Sequence, residues 1–157
     1  PALQSGEIDV VPEYAATVAE YLNRLANGAE APAVASGDIQ ATYEALSTLG
    51  NDAGIIFGLA SEAQDQNAFA VTTAFAEQYG VTSLTELAET CGSITLGGPP
   101  ECPERTFCAI GLEDVYGLTI DSFAALDAGG PLTKTALKTG EVAVGLVFSS
   151  DGELATE

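Results

Sequence analysis

The chain of 157 residues carries 23 acidic side chains against 4 basic ones, a formal charge of −19, with no His, Trp or Met and three Cys. Apolar residues make up 46%, so the acid does not imply disorder, which also needs low hydrophobicity, and a chain of this length can bury a sizeable core. A net negative chain without a basic cluster opposes binding to nucleic acid or anionic lipid, and the absence of His removes Ser–His and Cys–His nucleophile pairs and every His-containing metal site.

Ala2-Leu3-Gln4-Ser5-Gly6 reads as the last turn of a helix closed by a glycine, after which Ile8, Val10 and Val11 suit a half-buried strand. The helix that should lead into Gly6 is missing, so the chain reads as an excised piece. Pro12 blocks further pairing, and residues 13–26 turn helical, with Val18, Tyr21, Leu22 and Leu25 on one face and Asn27-Gly28 at the end. Residues 29–37 are a small-residue linker. Asp38 is the expected N-cap of a second helix that presents Ile39, Tyr43 and Leu46 and stops at Gly50.

Ile55-Ile56-Phe57 reads as a short buried strand, followed by a polar stretch and the strand Ala68-Phe69-Ala70-Val71. Helices are expected over 72–79 and 83–90, the second opened by a Ser83/Glu86 capping box. Ile94-Thr95-Leu96 is a strand running into Gly97-Gly98-Pro99-Pro100, residues 108–116 are helical, and Leu118-Thr119-Ile120 is a strand. Residues 131–139 form a helix with Pro131 at its first position, and Gly140 releases residues 141–148 as a strand. This alternation implies an α/β fold with a largely parallel sheet. No apolar run approaches the ~18–20 residues that span a bilayer, and the opening residues show neither the basic nor the apolar region of a signal peptide.

One string is echoed. Ala2-Leu3-Gln4-Ser5-Gly6-Glu7-Ile8-Asp9-Val10 returns as Ala136-Leu137-Lys138-Thr139-Gly140-Glu141-Val142-Ala143-Val144. Helix–glycine–strand junctions converge on such strings, or the two copies belong to two related α/β lobes. In the second case Glu13-Tyr14-Ala15-Ala16-Thr17 and Ser149-Ser150-Asp151-Gly152 follow strand ends, where open α/β sheets bind ligands.

Chemistry-bearing residues are few. Three Cys without His make a poor metal set, whereas a Cys102–Cys108 disulfide closing a small loop would contribute about 2–3 kcal/mol and imply an oxidising compartment. Cys91 is then the unpaired thiol. Arg105, inside that loop, is either a surface base paired with a local Glu or a carboxylate clamp, for which its planar fork is suited. Tyr14 past a strand end serves packing or ligand contact; Phe69, alternating with Val71, belongs to the core or to a site; Asp151 in Ser-Ser-Asp-Gly is most simply a turn residue. The carboxylate pairs Glu62/Asp65 and Glu101/Glu104 have i, i+3 spacing but do not follow strand ends as a glycosidase pair would, and neither a calcium loop nor a phosphate loop occurs. No cofactor or metal is implied, and the case for an enzyme is weak.

Gly6-Glu7-Ile8-Asp9-Val10-Val11-Pro12-Glu13-Tyr14-Ala15-Ala16-Thr17 resembles the G-E-I-D-x-x-P-E-Y-T-G-T signature of the solute-binding proteins that serve ABC importers of glycine betaine, choline and related osmoprotectants. Further matches follow in the family's order: Asp65-Gln66-Asn67-Ala68-Phe69-Ala70-Val71, Gly97-Gly98-Pro99-Pro100-Glu101-Cys102 up to Arg105, Gly111-Leu112 with Val115-Tyr116-Gly117-Leu118, and Ala136-Leu137 through Gly140-Glu141-Val142 to Phe148-Ser149-Ser150-Asp151-Gly152. The resemblance implies a type II periplasmic-binding-protein fold, two α/β lobes closing on a ligand. One lobe is complete and part of the other is present: residues 1–68 in partial lobe one, 69–147 in lobe two, and 148–157 in the start of the return crossing. Lobe-one sheet edges would then be left unpaired and open to self-association.

By position, the resemblance makes Tyr14 a member of a cation cage, Thr17 a hydroxyl contact, Arg105 the holder of a ligand carboxylate, and Ser150-Asp151 the ligand-side turn. Two departures count against betaine itself. Phe69 stands where a tyrosine is usual, and Lys134 falls about where another cage aromatic is expected, where an ammonium would repel the quaternary ammonium that ring faces attract. The function implied is non-catalytic and extracytoplasmic. A small zwitterionic or cationic solute is bound and presented to a membrane permease, the parent protein being secreted or lipid-anchored. The alternatives are a carboxylate-based hydrolase and an interaction or assembly piece that binds nothing.

Overall fold

The computed structural model describes residues 2–155, which form two compact units, one ending at Glu62 and the next beginning at Ala63. The first unit is helical. Helix α1 (Ala2–Ser5) closes at Gly6, whose φ of +75° a side chain would strain. Helix α2 (Ala15–Asn27) follows Tyr14 at its N-cap, and Gly28 takes φ +95° past its end. Helix α3 (Ile39–Asp52) is capped by Asp38, whose carboxylate accepts from the N–H groups of Gln40 and Ala41.

The α2–α3 core gathers Ala19, Leu22 and Leu46, with Val18, Leu49 and Phe57 packed against it. Tyr21 and Leu25, expected on the apolar face, lie in solvent; the buried face is turned toward Ala19, Leu22 and Asn23. The reason lies in residues 29–37, which are a strap rather than a free linker. The buried Glu20 carboxylate accepts from Val34 N and Ala35 N, both at 2.7 Å, Asn23 Nδ2 donates to Pro32 O at 2.9 Å, and Thr42 Oγ1 donates to Ser36 O at 3.1 Å. Three polar side chains are thus buried because backbone groups of the strap need partners.

Two expected strands are not formed. Residues 8–11 and 55–57 are irregular, with Val10 84% and Ile56 92% exposed. A strand exists only where a neighbour takes up its backbone hydrogen bonds, and no ladder reaches these segments among the described residues.

The second unit holds one four-stranded sheet. Its elements are β1 (Asn67–Ala70), α4 (Thr73–Tyr79), α5 (Leu84–Cys91), β2 (Ser93–Gly98), α6 (Ala109–Tyr116), β3 (Thr119–Ala125), α7 (Pro131–Thr139) and β4 (Val144–Phe148). Strand order is β1-β4-β2-β3; β2 runs parallel to both β3 and β4, and β1 antiparallel to β4, so the sheet is largely parallel as expected. Helices α4 to α6 cover one face over Leu87, Ile94, Leu96, Leu112, Val144 and Leu146. Helix α7 covers the other with Ala136 and Leu137, and it comes close because Gly145 has no side chain: a Cβ there would stand 2.8 Å from Thr133 Cγ2. Local signals hold well here. Thr72 and Ser83 cap α4 and α5 through their hydroxyls, Pro131 opens α7, and Gly140 ends it at φ +74°.

The echoed string is echoed in geometry. Gly6 N, Glu7 N and Ile8 N donate to Leu3 O, Ala2 O and Ala2 O, and Gly140 N, Glu141 N and Val142 N donate to Leu137 O, Ala136 O and Ala136 O. The two helix ends are closed by the same three bonds. Only the second runs on into a strand.

Candidate functional site

The first unit presents Tyr14 and Thr17 at the opening of α2, three residues apart and therefore neighbours on one side of the helix start. Tyr14 is 53% exposed, Thr17 is exposed, and Tyr14 O accepts from Val18 N at 3.0 Å.

In the second unit Arg105, Lys134, Ser150 and Asp151 lie on the segments that follow the ends of β2, β3 and β4, whereas Phe69 does not. Strand β1 is antiparallel, so its first residues reach the same edge: Asn67 pairs with Phe148. Beyond that pair the chain entering β1 and the chain leaving β4 are laced together. Ser149 N donates to Gln66 O at 2.8 Å, Gln66 N to Ser149 Oγ at 2.9 Å, and Ser150 Oγ to Asp65 Oδ1 at 2.5 Å. Ser150 has one hydroxyl proton and spends it on Asp65; toward any further group it acts as an acceptor while that bond holds.

Lys134, in the first turn of α7, points its ammonium at Asp151 (2.6 Å) and Glu153 (2.5 Å). The Asp151 carboxylate also accepts from Glu153 N at 2.9 Å, so the turn after β4 is closed on itself and onto α7. The hydrogen bond from Lys134, then that from Glu153 N, holds Asp151 below the usual carboxylate range; the bonds to Asp151 and Glu153 raise Lys134 above its ordinary value. Lys134 is matched by two carboxylates, with Asp65 joined to the same turn through Ser150. This edge is therefore net acidic, which removes the repulsion expected from an isolated ammonium.

Arg105 lies on the loop after β2. Cys102 and Cys108 are joined by a disulfide with Cα atoms 5.2 Å apart, and both are buried. Within the ring Arg105 N donates to Cys102 O and Cys108 N to Arg105 O. The Arg105 side chain is exposed and has no hydrogen-bond or ion-pair partner among the described residues. No Glu pairs with it among the described residues. Asn67 Nδ2 donates to Phe107 O at 2.8 Å and so fastens the ring to the laced crossing.

Phe69 is half-buried and packs against the core cluster below α4 and α5, opposite Leu146 on β4. Asp127, beyond β3, was not singled out by sequence; its carboxylate accepts from Leu132 N at 3.0 Å, Thr133 N at 2.9 Å and Thr133 Oγ1 at 2.8 Å and so caps α7 from four residues before Pro131. Glu153 and Asn67 were missed as well. Glu153 follows a turn aspartate by two residues, and Asn67 opens a strand, the weak signals that each carried. Cys91 is a free, partly buried thiol whose pKa burial raises. No cluster of metal-ligating side chains occurs among the described residues, and no helix among them is long and apolar enough to cross a membrane.

A largely parallel α/β sheet with helices on both faces and charged groups at the carboxyl edge of its strands is the architecture of a lobe of the type II periplasmic-binding-protein fold. Two solved structures share it: apo YehZ from Escherichia coli, with a TM-score of 0.58 and 25% identity over 99% of this chain and 56% of that one; and a glycine betaine/carnitine/choline ABC transporter, with a TM-score of 0.61 and 23% identity over 99% and 54%. Residues 1–156 match the family described as the substrate-binding domain of ABC-type glycine betaine transport systems, OpuAC, and the chain belongs to that family. It spans about half the length of the two solved structures it matches. The family is one of solute-binding proteins, not of enzymes.

Proposed function

We propose that this chain supplies the ligand-recognising part of an extracytoplasmic solute-binding protein that delivers a small zwitterionic or quaternary-ammonium solute to the membrane permease of an ABC importer. The observation that carries this reading is the charge arrangement at the carboxyl edge of the sheet. An exposed Arg105 without a partner among the described residues lies on a loop fastened by Asn67 to a crossing that bears Asp65, Asp151 and Glu153. A solute with a carboxylate and a cationic head is complementary to such a pairing of charges.

Arg105 takes the carboxylate as a two-pronged donor, and Tyr14 offers its ring face to the cationic head. Phe69 adds apolar contact. Thr17 donates a hydrogen bond, whereas Ser150, its proton held by Asp65, accepts one. Lys134 and Asp151 set the shape of the turn beside the solute and leave the edge net acidic. In this reading residues 1–68 belong to a partial first lobe, 69–147 to the second and 148–157 to the return crossing. The permease recognises the solute-bound state, which binding favours as a population shift.

Calorimetric titration of the complete gene product with glycine betaine, choline, carnitine and amino acids tests the proposal. Saturable binding of at least one quaternary-ammonium solute, weakened by Tyr14→Ala, is the expected result. Binding of none, with the protein folded, overturns it.

A further inference from the structure

The Cys102–Cys108 ring meets three separate elements, and each contact falls within two residues of Arg105 or on the ring's own cysteines. At its base, Cys102 packs on the end of β2: a Cβ added to Gly98 would stand 3.6 Å from both Cys102 Cβ and Cys102 Sγ. On one flank, Asn67 Nδ2 holds the Phe107 carbonyl at 2.8 Å. On the other, Gly111 in α6 lets the Thr106 carbonyl approach so closely that any side chain at Gly111 would push the backbone of the ring away. The ring's backbone is closed by Arg105 N to Cys102 O at 3.1 Å and Cys108 N to Arg105 O at 3.0 Å. An arginine that binds a carboxylate bidentately must be held in one orientation, because both N–H bonds are lost together when its base swings.

We propose that Asn67 and Gly111 are positioning residues that hold the Cys102–Cys108 ring so that Arg105 discriminates for solutes bearing a carboxylate; this rests on the assignment of Arg105 as the carboxylate clamp. Asn67 does more than pin a loop. It is the first residue of the strand that enters the second unit, one residue from the Gln66–Ser149 lacing, so displacement of the crossing is passed to the ring that carries Arg105. Gly111 acts from the opposite side, through Thr106. Neither residue needs to touch the solute.

The test compares glycine betaine with choline, which keeps the cationic head and lacks the carboxylate. Dissociation constants are measured for the complete gene product and for Arg105→Ala, Asn67→Ala and Gly111→Ala, with thermal unfolding to confirm folding. Arg105→Ala should weaken betaine by about 10- to 100-fold and leave choline within about twofold, as a charged hydrogen-bonded pair requires. Asn67→Ala should weaken betaine by about 3- to 10-fold, the value of one hydrogen bond, again with choline little changed. Gly111→Ala should act in the same direction; where it fails to fold, Asn67→Ala decides alone.

A general loss of structure would weaken both solutes equally and overturns the positioning role. So does a betaine-to-choline ratio unmoved by Asn67→Ala when Arg105→Ala moves it. If Arg105→Ala leaves the ratio unchanged, the clamp assignment itself is wrong and the positioning role falls with it, a different pattern from the first.

Discussion

Lys134 Nζ lies 2.6 Å from Asp151 Oδ2 and joins the first turn of α7 to the segment that follows β4. Asp151 is held below its ordinary range by this bond, so its contribution is complete above the usual carboxylate pKa and is lost as pH falls through the lowered value. Lys134 is raised, so its contribution is complete below the ordinary lysine pKa and is lost only as pH rises through the raised one. At neutral pH both ends are charged. Glu153 N, bound to Asp151 Oδ1 at 2.9 Å, reports on the turn: its protection factor, taken relative to the intrinsic exchange rate at each pH, should fall in Lys134→Ala and on acidification. In about 1 M salt, which screens exposed pairs strongly, wild type should approach the variant. Unchanged protection in the variant would show that the turn does not depend on Lys134.

Asp127 sets the start of α7. Desolvation raises its pKa, but the bonds from Thr133, Leu132 and Gly130 together outweigh it and the net shift is downward. Its stabilisation is therefore present above the ordinary carboxylate pKa and disappears as pH falls through the lowered one. Asp127→Ala should cost about 1–2 kcal/mol at neutral pH, the value of a helix cap, and the difference from wild type should shrink in acid. Urea unfolding at several pH values measures both.

Gly140 and Gly145 fail for different reasons. At Gly140 a Cβ meets nothing within 4 Å, and the penalty for alanine is its φ of +74°, about 1–2 kcal/mol. At Gly145 the Cβ would press on Thr133 and Leu137, an overpacking cost of about 1–3 kcal/mol. Trimming Leu137 to Val should recover part of the loss in Gly145→Ala and none in Gly140→Ala. A double-mutant cycle by thermal unfolding reads the coupling.

Removing the disulfide as Cys102→Ala with Cys108→Ala should lower the stability of the second unit by about 2–3 kcal/mol, the loop-closure value for a short ring. The first unit, which has its own core of Ala19, Leu22 and Leu46, should keep its unfolding transition. Hydrogen exchange resolved by segment separates the two. Equal loss of protection in both units would contradict the independence of their cores.

What the sequence determined by itself was local and short in reach. The caps Asp38 and Ser83, the proline opening α7, the glycine helix ends at Gly6, Gly28 and Gly140 and the alternation of helix and strand over 67–148 all depend on neighbours within about a turn and read correctly, whereas α3 runs past its expected stop at Gly50 to Asp52. The family signature and the spacing of Cys102 and Cys108 were legible for the same reason, being written in contiguous residues. What tertiary structure alone decided was everything needing a distant partner. Residues 8–11 and 55–57 have the composition of strands and are not strands, because β-propensity is realised only beside a neighbour. Glu20 is buried because a strap 14 residues away presents two N–H groups to it. Lys134, at first sight a cation where an aromatic ring was due, is matched by carboxylates 17 and 19 residues on, and Asn67 reaches a carbonyl 40 residues on. The opening count of 4 bases against 23 acids pointed to Arg105, but only the folded chain distinguishes it from Lys134: one is held in ion pairs, the other exposed without a partner among the described residues. A charge is spent or available according to what packs beside it, and that is set by contacts far apart in the chain.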